Sequence, residues 1–145
     1  MTDHPTASDF GVHRAVTTRW SDNDMYGHLN NAVYYQLFDS AINGWIIDDT
    51  GFDPLTTPAI GVVAESGCRF HSQLQFPQQL DVGIRVERLG RTSVVYDLAL
   101  FAHDQPEGTP VAAQGRWVHV YIDRHTQRPT DIPEAVRSLL TAHTK

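Results

Sequence analysis

The chain predicts an α+β fold in which one long apolar helix is set against a run of antiparallel strands. Three observations carry this. Residues 30–48 place Val33, Leu37, Ala41 and Trp45 four positions apart, flanked by Tyr34, Phe38 and Ile42. That is a wide apolar stripe at helical period, with Gln36, Ser40 and Asn43 off it. Residues 80–88 alternate strictly, Leu80, Val82, Ile84 and Val86 against Asp81, Gly83, Arg85 and Glu87, which is the period of a half-buried strand. Further strand-like segments then follow through turn residues, with no second long helix among them.

Taken in order, residues 1–12 read as a loosely ordered tail and 13–145 as a single domain. "HRAVTTRW" at 13–20 is rich in β-branched and aromatic residues, with Val16, Thr18 and Trp20 on one face of an expected strand. The helix of 30–48 takes Asn30 as its cap. Gly44 lies inside it, at about 1 kcal/mol of helix propensity relative to Ala, and gives room for close packing. "DDTGFDP" ends it. Strands are expected at 61–72, 80–88, 92–103 and 111–122, with "LGR" at 89–91 as a tight hairpin. A short C-terminal helix starts at "DIPEAVRSLL", where Asp131 and Glu134 have capping-box spacing and Pro133 sits in the first turn. The helix is apolar over most of its girth, so a sheet of about five strands wraps around it. The outer face and edges of that sheet call for a second chain, and a homodimer is expected.

Composition narrows the function. The 145 residues are 41 % apolar and 19 % charged, as in an ordinary globular protein, and the net charge of −6 argues against a general nucleic-acid binder. One cysteine, Cys68, cannot close an internal disulfide and suggests a reducing compartment. "MTDHPTASDFGV" has no apolar run for a signal peptide, and nowhere do 18 apolar residues run together. A cytoplasmic setting without membrane contact is expected.

The stretch "SDNDMYGHLNNAVYYQLFDSA" concentrates the chemistry. Counted as a calcium loop from Asp22, its fifth and twelfth positions are Tyr26 and Val33, which supply no carboxylate. The eight histidines show no HExxH spacing and Cys68 has no CxxC partner, so no metal is expected. Ser66 in "AESGC" lacks the nucleophile elbow, and Cys68 reads as a buried strand cysteine. His119 and Trp117 share a strand face and read as core or interface packing. Arg85, Arg88, Arg91 and Arg116 fit either solvated strand edges or contacts to the phosphates of a ligand. Asp24 has two readings. It satisfies backbone N–H groups of the turn, or it acts as general base or nucleophile beside the free N–H groups of the following helix. The second suits acyl transfer from a thioester, whose thiol, with a pKa of about 8.5, leaves without a strong acid.

"DMYGHLNNAVYY", Asp24 to Tyr35, resembles the Asp-x-x-Gly-His-x-Asn-Asn-x-x-Tyr signature of hotdog-fold acyl-CoA thioesterases of the 4-hydroxybenzoyl-CoA thioesterase type. "VVAESGCRF", "LGRTSVVYDLALF" and "GRWVHVYIDRHTQRP" are similar to theirs as well, so that the likeness covers about residues 13–133. The resemblance implies a hotdog fold and hydrolysis of an acyl-CoA to a free acid and coenzyme A. No cofactor is needed beyond the coenzyme A of the substrate. It implies that Asp24 is catalytic and that the backbone N–H near Asn31 holds the oxyanion. Gly27 then allows the tight turn and a close approach by substrate. His28, Asn30 and Tyr34 order the turn or touch the substrate, and Glu65 and Ser66 line the pocket across a homodimer or homotetramer interface. Relatives often carry Glu and Arg in mid-helix, where Asp39 and Asn43 stand here. They often have an acid before the 80–88 strand, where Gln78 and Gln79 stand. An acyl-carrier protein as thioester carrier, or a non-catalytic acyl-thioester-binding protein, are the alternatives on the same scaffold.

Overall fold

The computed structural model describes residues 4–144. Five strands and two helices follow in the order β1 (Val12–Val16), α1 (Asn31–Thr50), β2 (Ala59–Phe70), β3 (Leu80–Leu89), β4 (Ser93–Ala102), β5 (Ala113–Asp123) and α2 (Glu134–Ala142). The strands form one antiparallel sheet in the order β1-β3-β4-β5-β2. The sheet curls around α1, which is the hotdog arrangement.

The alternation in β3 sets its inner face, while Asp81 and Gly83 on the outer face are buried as well. Leu80, Val82, Ile84 and Val86 are buried against α1 and join Phe38, Ile42 and Trp45 of the helix in one core. Each such side chain contributes about 1.5–3 kcal/mol of apolar burial. The fit between layers is tight. A Cβ on Gly115 in β5 would lie 2.8 Å from the Phe38 ring, so the strand needs a glycine where the helix presses closest. Gly44 serves the same end on α1. The Arg14 guanidinium passes over it and reaches Asp48 at 2.8 Å.

β1, α2 and the N-terminal segment differ most from the sequence reading, the other element ends by no more than two residues. β1 stops at Val16, and Trp20 lies in a 3₁₀ turn, 85 % exposed. The cause is local: the Asp22 carboxylate accepts from the Arg19 N–H and guanidinium and folds 19–22 back on itself. α2 begins at Glu134 after Pro133, and Asp131 pairs with Arg91 instead of capping. The expected loose tail is docked in its described part; residues 1–3 of that expectation lie outside the described residues. Phe10 is buried with Ala99, Phe101 and Val111 on the outer face of the sheet. A Cβ on Gly83 would lie 2.8 Å from Phe10, and the Arg85 guanidinium covers the ring at 4.5 Å.

β2 is bonded to β5 on one side only, with an irregularity between Val63 and Glu65. Its other edge is free along the strand among the described residues, and Val62, Val63 and Phe70 stand exposed on it. Gly115→Val is expected to overpack the core against Phe38 by about 1–3 kcal/mol. A thermal melt showing Tm lowered by several degrees is the outcome this packing predicts.

Candidate active site

The turn before α1 is a small hairpin. The Asn30 N–H donates to the Asp22 carbonyl at 2.9 Å, Asn23 bridges Leu29, and the Asp24 N–H donates to the His28 carbonyl at 2.9 Å. The rungs keep Asp24 and the start of α1 on adjacent arms. The base of the hairpin is fixed from two sides. The Asp22 carboxylate is buried and taken up by Arg19. The Asn23 side chain accepts from the Phe76 N–H at 3.0 Å and donates to the Phe76 carbonyl. Sequence reasoning missed Asn23, because its partner lies in a loop far along the chain.

At the tip, the Asp24 carbonyl accepts from the Gly27 N–H at 3.1 Å and one carboxylate oxygen accepts from the Tyr26 N–H at 2.9 Å. The other carboxylate oxygen has no hydrogen-bond partner among the described residues. Asp24 thus fills its turn role with one oxygen and leaves the second unengaged among the described residues. Gly27 has φ +81°, in the left-handed region, and no atom comes within 4 Å of the place its Cβ would take. Backbone conformation, not crowding, requires glycine there.

α1 begins as its sequence suggests. The Asn30 side chain accepts from the Ala32 N–H at 2.9 Å, and its carbonyl from the Val33 N–H at 2.9 Å. The Asn31 N–H has no partner among the described residues. It sits at the positive end of a 20-residue helix, where a developing oxyanion is stabilised. A carboxylate oxygen and an N–H donor, both unengaged, therefore stand on the two arms of one hairpin. That pair can activate water, or attack directly, at a carbonyl whose oxygen rests on the helix start.

The remaining expected residues divide. His28 is half-buried and holds the turn through its backbone carbonyl. Tyr34 is buried in the core, edge-on to Phe70 at 4.9 Å, and burial raises its hydroxyl above the ordinary range. Glu65 and Ser66 lie on β2, outside the hydrogen bonds of the hairpin, with Glu65 paired to Arg116. Burial pushes the Cys68 thiol up to about 12, which keeps it from serving as a thiolate. Of the four arginines, Arg85 holds Asp97 at 2.6 Å, Arg91 holds Asp131 and Arg116 holds Glu65. Among the described residues no three His, Cys, Asp or Glu side chains gather as a metal set, and no helix is long and apolar enough to cross a membrane.

Two features were not singled out from the sequence as parts of a site. Trp20, Met25 and Tyr26 stand exposed, Met25 and Tyr26 on the tip of the hairpin and Trp20 edge-on to Phe76 at 6.4 Å. A cavity of about 230 Å³ opens between the second half of α1 and the start of β2, with His119 and Tyr121 of β5 in its wall. His119 is 2 % exposed and its Nε2 is buried without a hydrogen-bond partner. Burial lowers its pKa, with Asp39 opposing.

A five-stranded antiparallel sheet curled on one long helix is the hotdog arrangement. The chain belongs to the Thioesterase-like superfamily, whose family model matches residues 18–140. It is similar to the PA5185 protein from Pseudomonas aeruginosa strain PAO1, at 40 % identity and TM-score 0.94 over 99 % of this chain and 98 % of that one. A thioesterase complexed with coenzyme A and Zn from Thermus thermophilus is 27 % identical, with TM-score 0.73 over 90 % and 98 % of the two chains. A predicted thioesterase from Bacillus stearothermophilus is 25 % identical, with TM-score 0.76 over 92 % and 96 %. No curated protein matches the chain. The chain is a thioester hydrolase by its superfamily.

Two outcomes are expected from this geometry. Asn30→Ala removes the helix cap and costs about 0.5–2 kcal/mol, read as a lower denaturation midpoint. The second concerns pH. The folded-state pKa of His119 is lowered, so the unfolded chain binds the extra proton first as pH drops through about 6.5. Stability then falls from about pH 6.5 downward, and denaturant melts of His119→Gln should show a shallower fall than the wild type.

Proposed function

We propose that the protein hydrolyses an acyl-CoA thioester to a free carboxylic acid and coenzyme A. Asp24 acts as general base on water or as nucleophile, and the Asn31 N–H receives the oxyanion. The observation that carries this reading is the pairing of the free Asp24 oxygen with the unpaired helix N–H on adjacent arms of one hairpin. In the general-base route Asp24 takes a proton from water, the hydroxide oxygen bonds to the carbonyl carbon, and the carbonyl electrons move onto the oxygen at Asn31. They return as the C–S bond breaks and the thiolate departs. In the nucleophilic route the Asp24 oxygen bonds to the carbonyl carbon, the C–S bond breaks as the thiolate departs, and water then cleaves the resulting anhydride to the free acid and the Asp24 carboxylate. Coenzyme A bound to the Thermus relative supports coenzyme A as the thioester carrier. An acyl-carrier protein is the second carrier, and parallel assays separate the two.

The working unit in this reading is a homodimer, or a tetramer built from dimers. The free edge of β2 and its exposed Val62, Val63 and Phe70 support a second copy there, which brings Glu65 and Ser66 of each chain to the interface. No cofactor takes part beyond the coenzyme A of the substrate.

Asp24→Asn keeps the carboxylate's shape and removes its charge. It is expected to fold as the wild type by circular dichroism and to lose about 10²–10⁴ in kcat when released thiol is followed over a panel of acyl-CoA substrates. Wild-type turnover in that variant would exclude Asp24 from the chemistry. Val63→Lys puts a charge in the middle of the free edge. Sedimentation should show weaker association than in the wild type, with turnover falling in step.

A further inference from the structure

We propose that the cleft beyond the end of β1 is a binding site for a small organic amine, whose ammonium group is held by Asp81. The cleft is separate from the candidate active site: none of its lining residues belongs to the 22–30 hairpin or to α1. It lies at the β1 edge of the sheet, between residues 15–18, the loop that leads into β3, and His103 just past β4. Its volume of about 520 Å³ is within the roughly 300–1,000 Å³ of small-molecule sites.

The observation that carries the proposal is a buried carboxylate without a fixed counter-charge. Among the described residues Asp22 and Asp81 are buried, at 3 % and 7 % exposed. The Arg19 guanidinium holds Asp22 at 2.9 Å. Asp97, partly covered on β4, is held by Arg85 at 2.6 Å. Asp81 has only His103, whose Nδ1 lies 2.7 Å from its Oδ2 and whose ring is a cation only when protonated. Neutral His103 donates its Nδ1–H and leaves Asp81 charged with no cation beside it, which is costly in a buried position.

The cleft offers this missing cation a set of acceptors. Asp81 Oδ1 and the Thr18 hydroxyl have no hydrogen-bond partner among the described residues, and Thr18 is also buried. Neither atom is closed to solvent, and both residues line the cleft. The His103 N–H donates to the Gln79 carbonyl at 2.8 Å, which fixes that residue beside the start of β3. Its neutral ring then adds the Nε2 lone pair. An ammonium brings three donors together with the charge. An alcohol brings a donor without the charge, and a phosphate or carboxylate is repelled by Asp81. A metal ion lacks a ligand set, since no three His, Cys, Asp or Glu side chains gather among the described residues. Val16, Phe76 and Pro77 give a short alkyl body an apolar wall.

The test is an NMR titration of the isotope-labelled protein with n-pentylamine and with n-pentanol, its neutral counterpart, at about pH 7.5, where the amine is cationic. The amine should shift the amide signals of Thr18, Asp81 and His103 and leave those of Gly27 and Asn31 in place. It should bind at least about ten-fold more tightly than the alcohol. In Asp81→Asn, checked for folding by circular dichroism, the two should bind alike. Equal binding of amine and alcohol to the wild type, or a preference for the amine that survives in Asp81→Asn, would overturn the proposal. Should Asp81→Asn not fold, Thr18→Val takes its place. Amine binding weakened about five-fold there upholds the site, and unchanged binding refutes it. Magnesium or zinc ions that shift the Asp81 and His103 signals while pentylamine does not would make the cleft a metal site and refute the proposal as well.

Discussion

The hydrogen bond from the Asn30 N–H to the Asp22 carbonyl is the contact on which the site depends. It ties the residue that caps α1 to the hairpin arm that carries Asp24. A helix beginning one residue earlier or later would present a different set of free N–H groups. The buried Asp22 carboxylate secures the bond by holding Arg19, and Asn23 secures it by clasping the backbone of Phe76. Asp22 and Asn23 make no use of their side chains in the proposed reaction. Their part is to hold a short loop rigid enough that Asp24 can keep one oxygen unengaged.

The rest of the molecule serves the same end by packing. α1 must be buried along its body while its first N–H groups stay accessible. β3, β4 and β5 cover the body through a layer that admits no side chain at Gly115. The β2 side is covered less completely. There the strand edge is free, apolar residues are exposed, and a cavity opens beside the second half of the helix. Those three features lie where one chain ends and a second is proposed to begin, so catalysis and assembly are linked by the same incomplete cover. On the far side the sheet is closed by its own N-terminal segment, with Phe10 seated over Gly83.

Much of this was legible in the sequence, for identifiable reasons. α1 and β3 carry their period in consecutive residues, and the Asn30 cap and the Gly27 turn are short-range signals. The Asp24 to Tyr35 motif was legible because its residues are neighbours in the chain. The docked tail was not, because a single aromatic in a polar segment gives no period, and the glycine that accepts it lies in β3. Trp20 reads as a strand residue by propensity, but the Arg19–Asp22 bonds override propensity. The cavity is drawn from α1, the loop after it, β2 and β5, and no spacing joins Asn43 to His119. His119 was read as packing. Its burial agrees, and its unpartnered nitrogen becomes visible only in three dimensions.

The most direct measurement is a crystal structure of the Asp24→Asn protein with an intact acyl-CoA bound. The account predicts the thioester carbonyl oxygen within hydrogen-bond distance of the Asn31 N–H and the amide that replaces the Asp24 carboxylate facing the carbonyl carbon. A thioester bound away from the start of α1, or a carbonyl oxygen held by another donor, would contradict it.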